Sequence, residues 1–142
     1  MMKRLFSLFA FIVVGALCAF AQESFPVVLE REMKSEILGT AKKYCIYLPA
    51  GYGDDGKEFP VLYLLHGLTD THTAWRDKGN VQAIATGIFE SGKAQEMVIV
   101  MPDAGTTFDG YFNVPGWRYG DFFFQEFIPH IEKEYRVIAD KG

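Results

Sequence analysis

Two short runs are apolar at every position, Val61-Leu62-Tyr63-Leu64-Leu65 and Met97-Val98-Ile99-Val100-Met101. Each is about one strand long and bounded by turn-forming residues, the pattern of a strand covered on both faces in the middle of a parallel sheet. Between them Val81, Ile84, Ala85, Ile88 and Phe89 recur at helical spacing, and Gly92 follows Ser91 where a helix can close in the left-handed conformation. Strand, helix and strand at this separation predict a βαβ unit with a right-handed crossover. Upstream, Val27 to Leu38 and Ala41 to Leu48 read as strands joined at Gly39-Thr40 into a hairpin. Tyr44 to Leu48 is apolar throughout, which predicts cover on both faces. Pro49 and Gly51-Tyr52-Gly53-Asp54-Asp55-Gly56 then end the strand in a loop.

Downstream, Phe124, Phe127, Ile128, Ile131 and Tyr135 predict a core-facing stripe on a helix from about Tyr119 to Tyr135. Pro129 should kink that helix or mark its real start, because a mid-helix proline costs about 3 kcal/mol. There is no internal repeat and no low-complexity linker. The predicted class is α/β, an antiparallel hairpin leading into a mostly parallel sheet with flanking helices, with residues 22–142 as part of one domain. Val137 to Gly142 leads out of the last helix and no further element follows. The chain is therefore expected to be the N-terminal half of its domain, with a long open strand edge that favours aggregation.

The first residues follow another pattern. Lys3 and Arg4 precede an apolar run from Leu5 to Ala21 that closes with Ala19-Phe20-Ala21. A short positive region, an apolar stretch and small-x-small predict an export signal over residues 1–21, cut after Ala21. The product would be secreted or periplasmic, with no stable membrane anchor. Cys18 raises a lipoprotein alternative, but Leu17 stands where a small residue would precede a lipidated cysteine. Removing the signal takes away Lys3 and Arg4 and no acid, so the remainder is more negative than the −4 of the whole chain. That charge, with no basic patch, argues against nucleic acid as a partner. Cys45 is then the one remaining cysteine, so no intramolecular disulfide forms, and a small buried hydrophobe is its expected role. With 49% hydrophobic and 15% aromatic residues, the chain has the material for a core.

The candidate chemistry sits at Leu64-Leu65-His66-Gly67-Leu68-Thr69, on the carboxyl end of the first apolar strand. Ligands of open α/β sheets bind beyond such ends. Gly67 lets the backbone turn, and the Leu68 amide is expected to point into the site. Fixed N–H donors of this kind stabilise the oxyanion of ester cleavage. His66 is expected to act through hydrogen bonding rather than proton transfer. Asp103 follows the second strand, in a loop with Gly105, Thr106, Thr107, Asp109 and Tyr111. Trp75, Asp103 and Tyr111 are the candidate substrate-binding residues. Trp75, Tyr111, Phe112 and Trp117 read equally well as pocket lining or as packing. His66, Asp70 and His72 have a spacing that fits neither a helix face nor a strand face, so no metal site is expected. His130 reads as a surface or helix-end residue.

Taken in order, these segments resemble the putative-esterase (esterase D-like) family of α/β-hydrolases. That family includes feruloyl and acetyl-xylan esterases, S-formylglutathione hydrolase, enterochelin esterase and the antigen 85 mycolyltransferases. The resemblance runs through Tyr44-Cys45-Ile46-Tyr47-Leu48-Pro49 with Gly51-Tyr52, and through Phe59-Pro60-Val61-Leu62-Tyr63-Leu64-Leu65-His66-Gly67 with Trp75. It continues in Val98-Ile99-Val100-Met101-Pro102-Asp103, Phe127-Ile128-Pro129-His130-Ile131 and Tyr135-Arg136, covering about residues 27–140. It implies serine acyl transfer on a small-molecule or polysaccharide ester, such as a feruloyl or acetyl group on xylan. No cofactor is implied, and Gly67 and Leu68 form the oxyanion-hole turn. It further implies that Tyr135-Arg136 leads into a Gly-x-Ser-x-Gly elbow, with acid and base later still. Ser24, Ser35 and Ser91 stand in no such context. The nucleophile and the triad acid and histidine are therefore expected to be absent, and the chain as given inactive. A non-catalytic carbohydrate- or partner-binding protein of this fold, or an acyltransferase, remain the alternatives.

Overall fold

In the computed structural model, which describes residues 24–139, the first element pair is the expected antiparallel hairpin. β1 (Val27–Ser35) pairs with β2 (Thr40–Leu48), from Val27 opposite Leu48 to Ser35 opposite Thr40. The predicted export signal and its cleavage point lie outside the described residues. β1 ends three residues earlier than its apolar pattern suggested, and Glu126 shows why. Its carboxylate accepts hydrogen bonds from Ser35 Oγ and from the main-chain amides of Glu36 and Ile37. Ser35 Oγ in turn accepts the Leu38 amide, and Gly39 closes the turn at φ 63°.

The second half of β2 is buried on both faces because core lies on each side of it. Tyr44, Ile46 and Leu48 pack with Val98, Val100, Phe122, Phe127 and Ile131. Cys45 and Tyr47 pack on the opposite face with Val81, Ala85 and Met101. β3 (Val61–Tyr63), α1 (Ala74–Asp77), α2 (Val81–Glu90) and β4 (Val98–Pro102) form the βαβ unit, with β3 parallel to β4 and Val61 opposite Val98. Gly92 has the left-handed φ of 69° expected after α2.

The sheet order is β1-β2-β4-β3, and β2 runs antiparallel to β4. Among its strands β3–β4 is the parallel pair, and the hairpin docks directly on β4, so the described part of the sheet is mixed. One difference concerns β3. Expected in the interior, it is the outer strand among the described residues, with Leu62 42% and Leu65 43% exposed. Its open edge begins to gain a neighbour at one end. The Phe59 amide donates to the Arg136 carbonyl and the Ile138 amide to the Phe59 carbonyl, a parallel bridge between Phe59 and Val137.

The loop after β4 carries a small hairpin that the sequence reading lacks, β5 (Asn113–Val114) with β6 (Trp117–Arg118). Then follow α3 (Tyr119–Phe122), a π-helical turn (Phe123–Phe127) and α4 (Ile128–Glu134). Pro129 lies in the first turn of α4, but the backbone is helical without a break from Tyr119 to Glu134, so the proline follows a π turn within one distorted helix and does not mark a separate start. The widened turn ahead of it shifts the helical register. Phe122 and Phe127, five residues apart, are both buried, whereas Phe124, placed in the core stripe by its spacing, is 70% exposed. No helix among the described residues is long and apolar enough to cross a membrane.

Candidate active site

The turn after β3 is held by side chains from three other segments. The Trp75 indole N–H donates to the Leu65 carbonyl at 2.9 Å. The Tyr111 hydroxyl accepts the His66 amide at 2.9 Å and donates back to the His66 carbonyl at 3.3 Å. Burial pushes the Tyr111 phenol up to about 12, offset in part by the His66 hydrogen bond, so it keeps the proton this double role needs. The His66 ring is buried, and its Nε2 accepts the Ala104 amide at 3.1 Å. That acceptor role leaves the ring proton on Nδ1, which donates to the Gly67 carbonyl at 2.8 Å.

The Gly67 carbonyl accepts a second bond, from the Asp70 amide at 3.1 Å. With two donors on this oxygen, the plane of the Gly67–Leu68 peptide is set. The peptide is trans, so the Leu68 N–H points opposite to the carbonyl. No acceptor among the described residues engages that N–H. Thr69 follows at φ 69°, an uncommon conformation for a β-branched residue and a local strain of about 1–3 kcal/mol beside the turn.

Two concavities flank the turn. One, of about 280 Å³, is bordered by Gly67, Leu68, Thr107, Phe108, Tyr111 and Phe112. The other, of about 210 Å³, is bordered by His66, Gly67, Asp70, Trp75 and Lys78. Trp75 and Tyr111 therefore each line a pocket at the turn while their polar atoms bind its backbone. Asp103 sits beside the buried His66 ring, its Oδ1 3.8 Å from His66 Nε2. Its Oδ2 is 3.0 Å from Lys42 Nζ, its Oδ1 accepts the Gly105 amide at 3.3 Å, and it borders neither concavity. Burial alone would raise the Asp103 carboxyl, but the adjacent Lys42 ammonium and the Gly105 amide hold it below the usual carboxylate range. Lys42 is buried beneath the site, with its ammonium 5.3 Å from the Trp117 ring centre. No sequence signal marks it, since a lysine near the start of a strand reads as a solvated position.

The other candidates separate. His72 bonds to Glu30 and Asp70 pairs with Lys78, so His66, Asp70 and His72 form no cluster. His130 packs edge-on against Tyr44, with Nε2 3.2 Å from its hydroxyl, and links α4 to the sheet rather than facing solvent freely. Among the described serines, Ser35 is bonded to Glu126 and Ser91 Oγ donates to the Ile88 carbonyl. Neither borders the turn.

A ligand-facing turn at the carboxyl end of a strand, on a mixed sheet with flanking helices, is an α/β-hydrolase arrangement. The sequence model of the putative esterase family matches residues 35–141, and the chain belongs to that family. Over 115 residues it is 35% identical to an endo-1,4-β-xylanase/feruloyl esterase of Xylanibacter ruminicola, covering 75% of this chain and 16% of that protein. Among solved structures it is similar to a ferulic acid esterase at 41% identity and a TM-score of 0.77, over 81% of this chain and 46% of the other. A ferulic acid esterase of Anaeromyces mucronatus, solved with ferulic acid, superposes with a TM-score of 0.66 at 27% identity, over 80% of this chain and 44% of the other. The chain thus spans less than half the length of these relatives.

Proposed function

We propose that the protein carrying this sequence is an exported serine carboxylic-ester hydrolase acting on carbohydrate-linked esters such as feruloyl groups. The observation that carries the reading is the Gly67–Leu68 peptide, whose plane is set by His66 and Asp70 and whose N–H has no partner among the described residues. A donor fixed in direction before the reaction stabilises a developing oxyanion without reorganising. The two concavities beside it would take the acyl and alcohol portions of the ester. The aromatic borders Trp75, Phe108, Tyr111 and Phe112 suit a planar phenolic acid. The similar structure solved with ferulic acid supports that substrate class. None of Ser24, Ser35 or Ser91 borders either concavity, so on this reading the nucleophile, acid and base come from outside the described residues. Export rests on the Lys3-to-Ala21 pattern.

The test uses the full-length protein, assayed on p-nitrophenyl acetate and methyl ferulate with and without a serine-directed phosphonate. Turnover of both esters, abolished by the phosphonate, is expected. Binding of feruloylated oligosaccharide without turnover would replace the reading by that of a non-catalytic binder.

A further inference from the structure

β1 and β2 place Glu30 and Cys45 directly opposite one another in the hairpin register. Cross-strand partners project from the same face of the sheet. His72, in the loop between β3 and α1, lies over them. A carboxylate oxygen of Glu30, the Sγ of Cys45 and a ring nitrogen of His72 all lie within 4.8 Å of one another. His72 Nε2 is 3.1 Å from Glu30 Oε1. The His72 side chain is only 10% exposed, and its Nδ1 is buried without a hydrogen-bond partner among the described residues. Cys45 is a free, fully buried thiol remote from the turn's hydrogen bonds. A cationic group already stands among these ligands: Arg76 Nη1 is 3.0 Å from Glu30 Oε2 and 3.8 Å from Cys45 Sγ.

We propose that Glu30, Cys45 and His72 form a binding site for a thiophilic divalent metal ion of the zinc type, in which the Arg76 guanidinium stands in for the ion. Thiolate, imidazole and carboxylate together form a donor set zinc accepts, and three protein ligands leave a fourth position for water. Charge balances on exchange. The Cys45 thiol loses its proton to solvent, and thiolate and Glu30 carboxylate neutralise the incoming ion. Arg76 needs only a small movement to leave, because its Nε and Nη2 already hold the Asp77 carboxylate at 2.7 and 3.2 Å. Its side chain and that of Glu30 are each more than a third exposed or close to it, which gives the ion a path.

Two features keep the native affinity modest. Burial raises the Cys45 thiol, so the ion must displace a proton. Lys43 Nζ, 3.8 Å from Glu30 Oε1, competes for the carboxylate alongside Arg76. When filled, the site would tie the loop carrying His72 and α1, which carries Trp75, to the hairpin.

Cobalt(II) titrated into the reduced full-length protein is the probe, since thiolate ligation produces a charge-transfer absorption that carboxylates alone do not. The band should appear, be displaced by zinc, and saturate at about ten-fold lower cobalt in Arg76→Gln. Cys45→Ser should abolish it. Because Cys45 lies in the core, Glu30→Gln and His72→Asn serve as further variants, each raising the half-saturating cobalt by about ten-fold or more. Absence of the band even in Arg76→Gln, or a band indifferent to both Glu30→Gln and His72→Asn, would overturn the site.

Discussion

Replacing Lys42 by methionine removes the cation that neutralises Asp103 while keeping most of the buried stem. At the observed 3.0 Å and an effective dielectric of about 20, the gross attraction is about 5–6 kcal/mol. Much of that is offset by taking both charges out of water, the lysine side chain being 8% and the aspartate 21% exposed. Breaking a fully buried pair costs about 3–5 kcal/mol. Asp103 retains some solvent and the Gly105 amide, so the expected loss is about 2–3 kcal/mol. Urea unfolding of the full-length protein at neutral pH, followed by tryptophan fluorescence, measures it. Asp103→Asn added to Lys42→Met should recover part of the loss, giving a coupling of about 1–2 kcal/mol in the double-mutant cycle. The sign of the pH dependence is also fixed. A carboxyl held below its unfolded value of 3.8 stabilises the fold above that pH. The stabilisation fades as pH falls through the lowered folded value, so the gap between wild type and Lys42→Met should close in acid. An additive cycle, or a loss under about 0.5 kcal/mol, would refute the assignment of a buried pair beneath the site.

Tyr111→Phe removes the hydroxyl that holds both polar groups of the His66 backbone, at a local cost of about 1–2 kcal/mol. The His66 amide should then exchange with solvent about 5–30-fold faster by NMR, and unchanged exchange would contradict the clamp. A Cβ on Gly79 would sit 2.7 Å from Trp75 Cε3 and 2.9 Å from the Trp75 carbonyl. Gly79→Ala is therefore expected to destabilise by about 1–3 kcal/mol and to shift the tryptophan emission, both read in one denaturant series. His130 is pushed below its ordinary value by burial against Tyr44, so the folded state takes up its proton later than the unfolded chain does. Stability from this residue is present above about pH 6.5 and falls as pH drops through the lowered value. Melting temperature between about pH 7.5 and 5 should decline less steeply in His130→Gln than in wild type.

What the sequence showed depended on whether a residue's role lay in its neighbours along the chain. The hairpin, the βαβ unit and the helix ending at Gly92 follow from local periodicity, and the structure has all three. Phe124 was misplaced because a π turn is invisible to a 3.6-residue rule, though the five-residue gap between Phe122 and Phe127 was there to be read. At the site, Trp75 and Tyr111 were singled out, but what their polar atoms bind was hidden, because the partners are main-chain groups 10 and 45 residues away. Lys42 and the Ala104 amide were missed for the same reason: each acts across the sheet's end, on Asp103 and on His66. The Glu30–Cys45 pairing was latent in the hairpin register, yet nothing local brings His72 to it.

That β3 is the outer strand among the described residues bears most directly on the functional reading. An interior strand would hold its terminal turn rigid by pairing on both sides, and among the described residues β3 pairs along its length only with β4. The turn instead draws its rigidity from side chains. Leu65 is bonded by Trp75 from α1, His66 by Tyr111 and Ala104 from the loop after β4, and Gly67 by His66 and Asp70. The bonds to His66 and Gly67 lie past the end of β3 at Tyr63. The direction of the Leu68 N–H is thus set by groups bonded beyond the strand's end. It follows that Tyr111→Phe and His66 substitutions should loosen the turn even where the edge is fully paired.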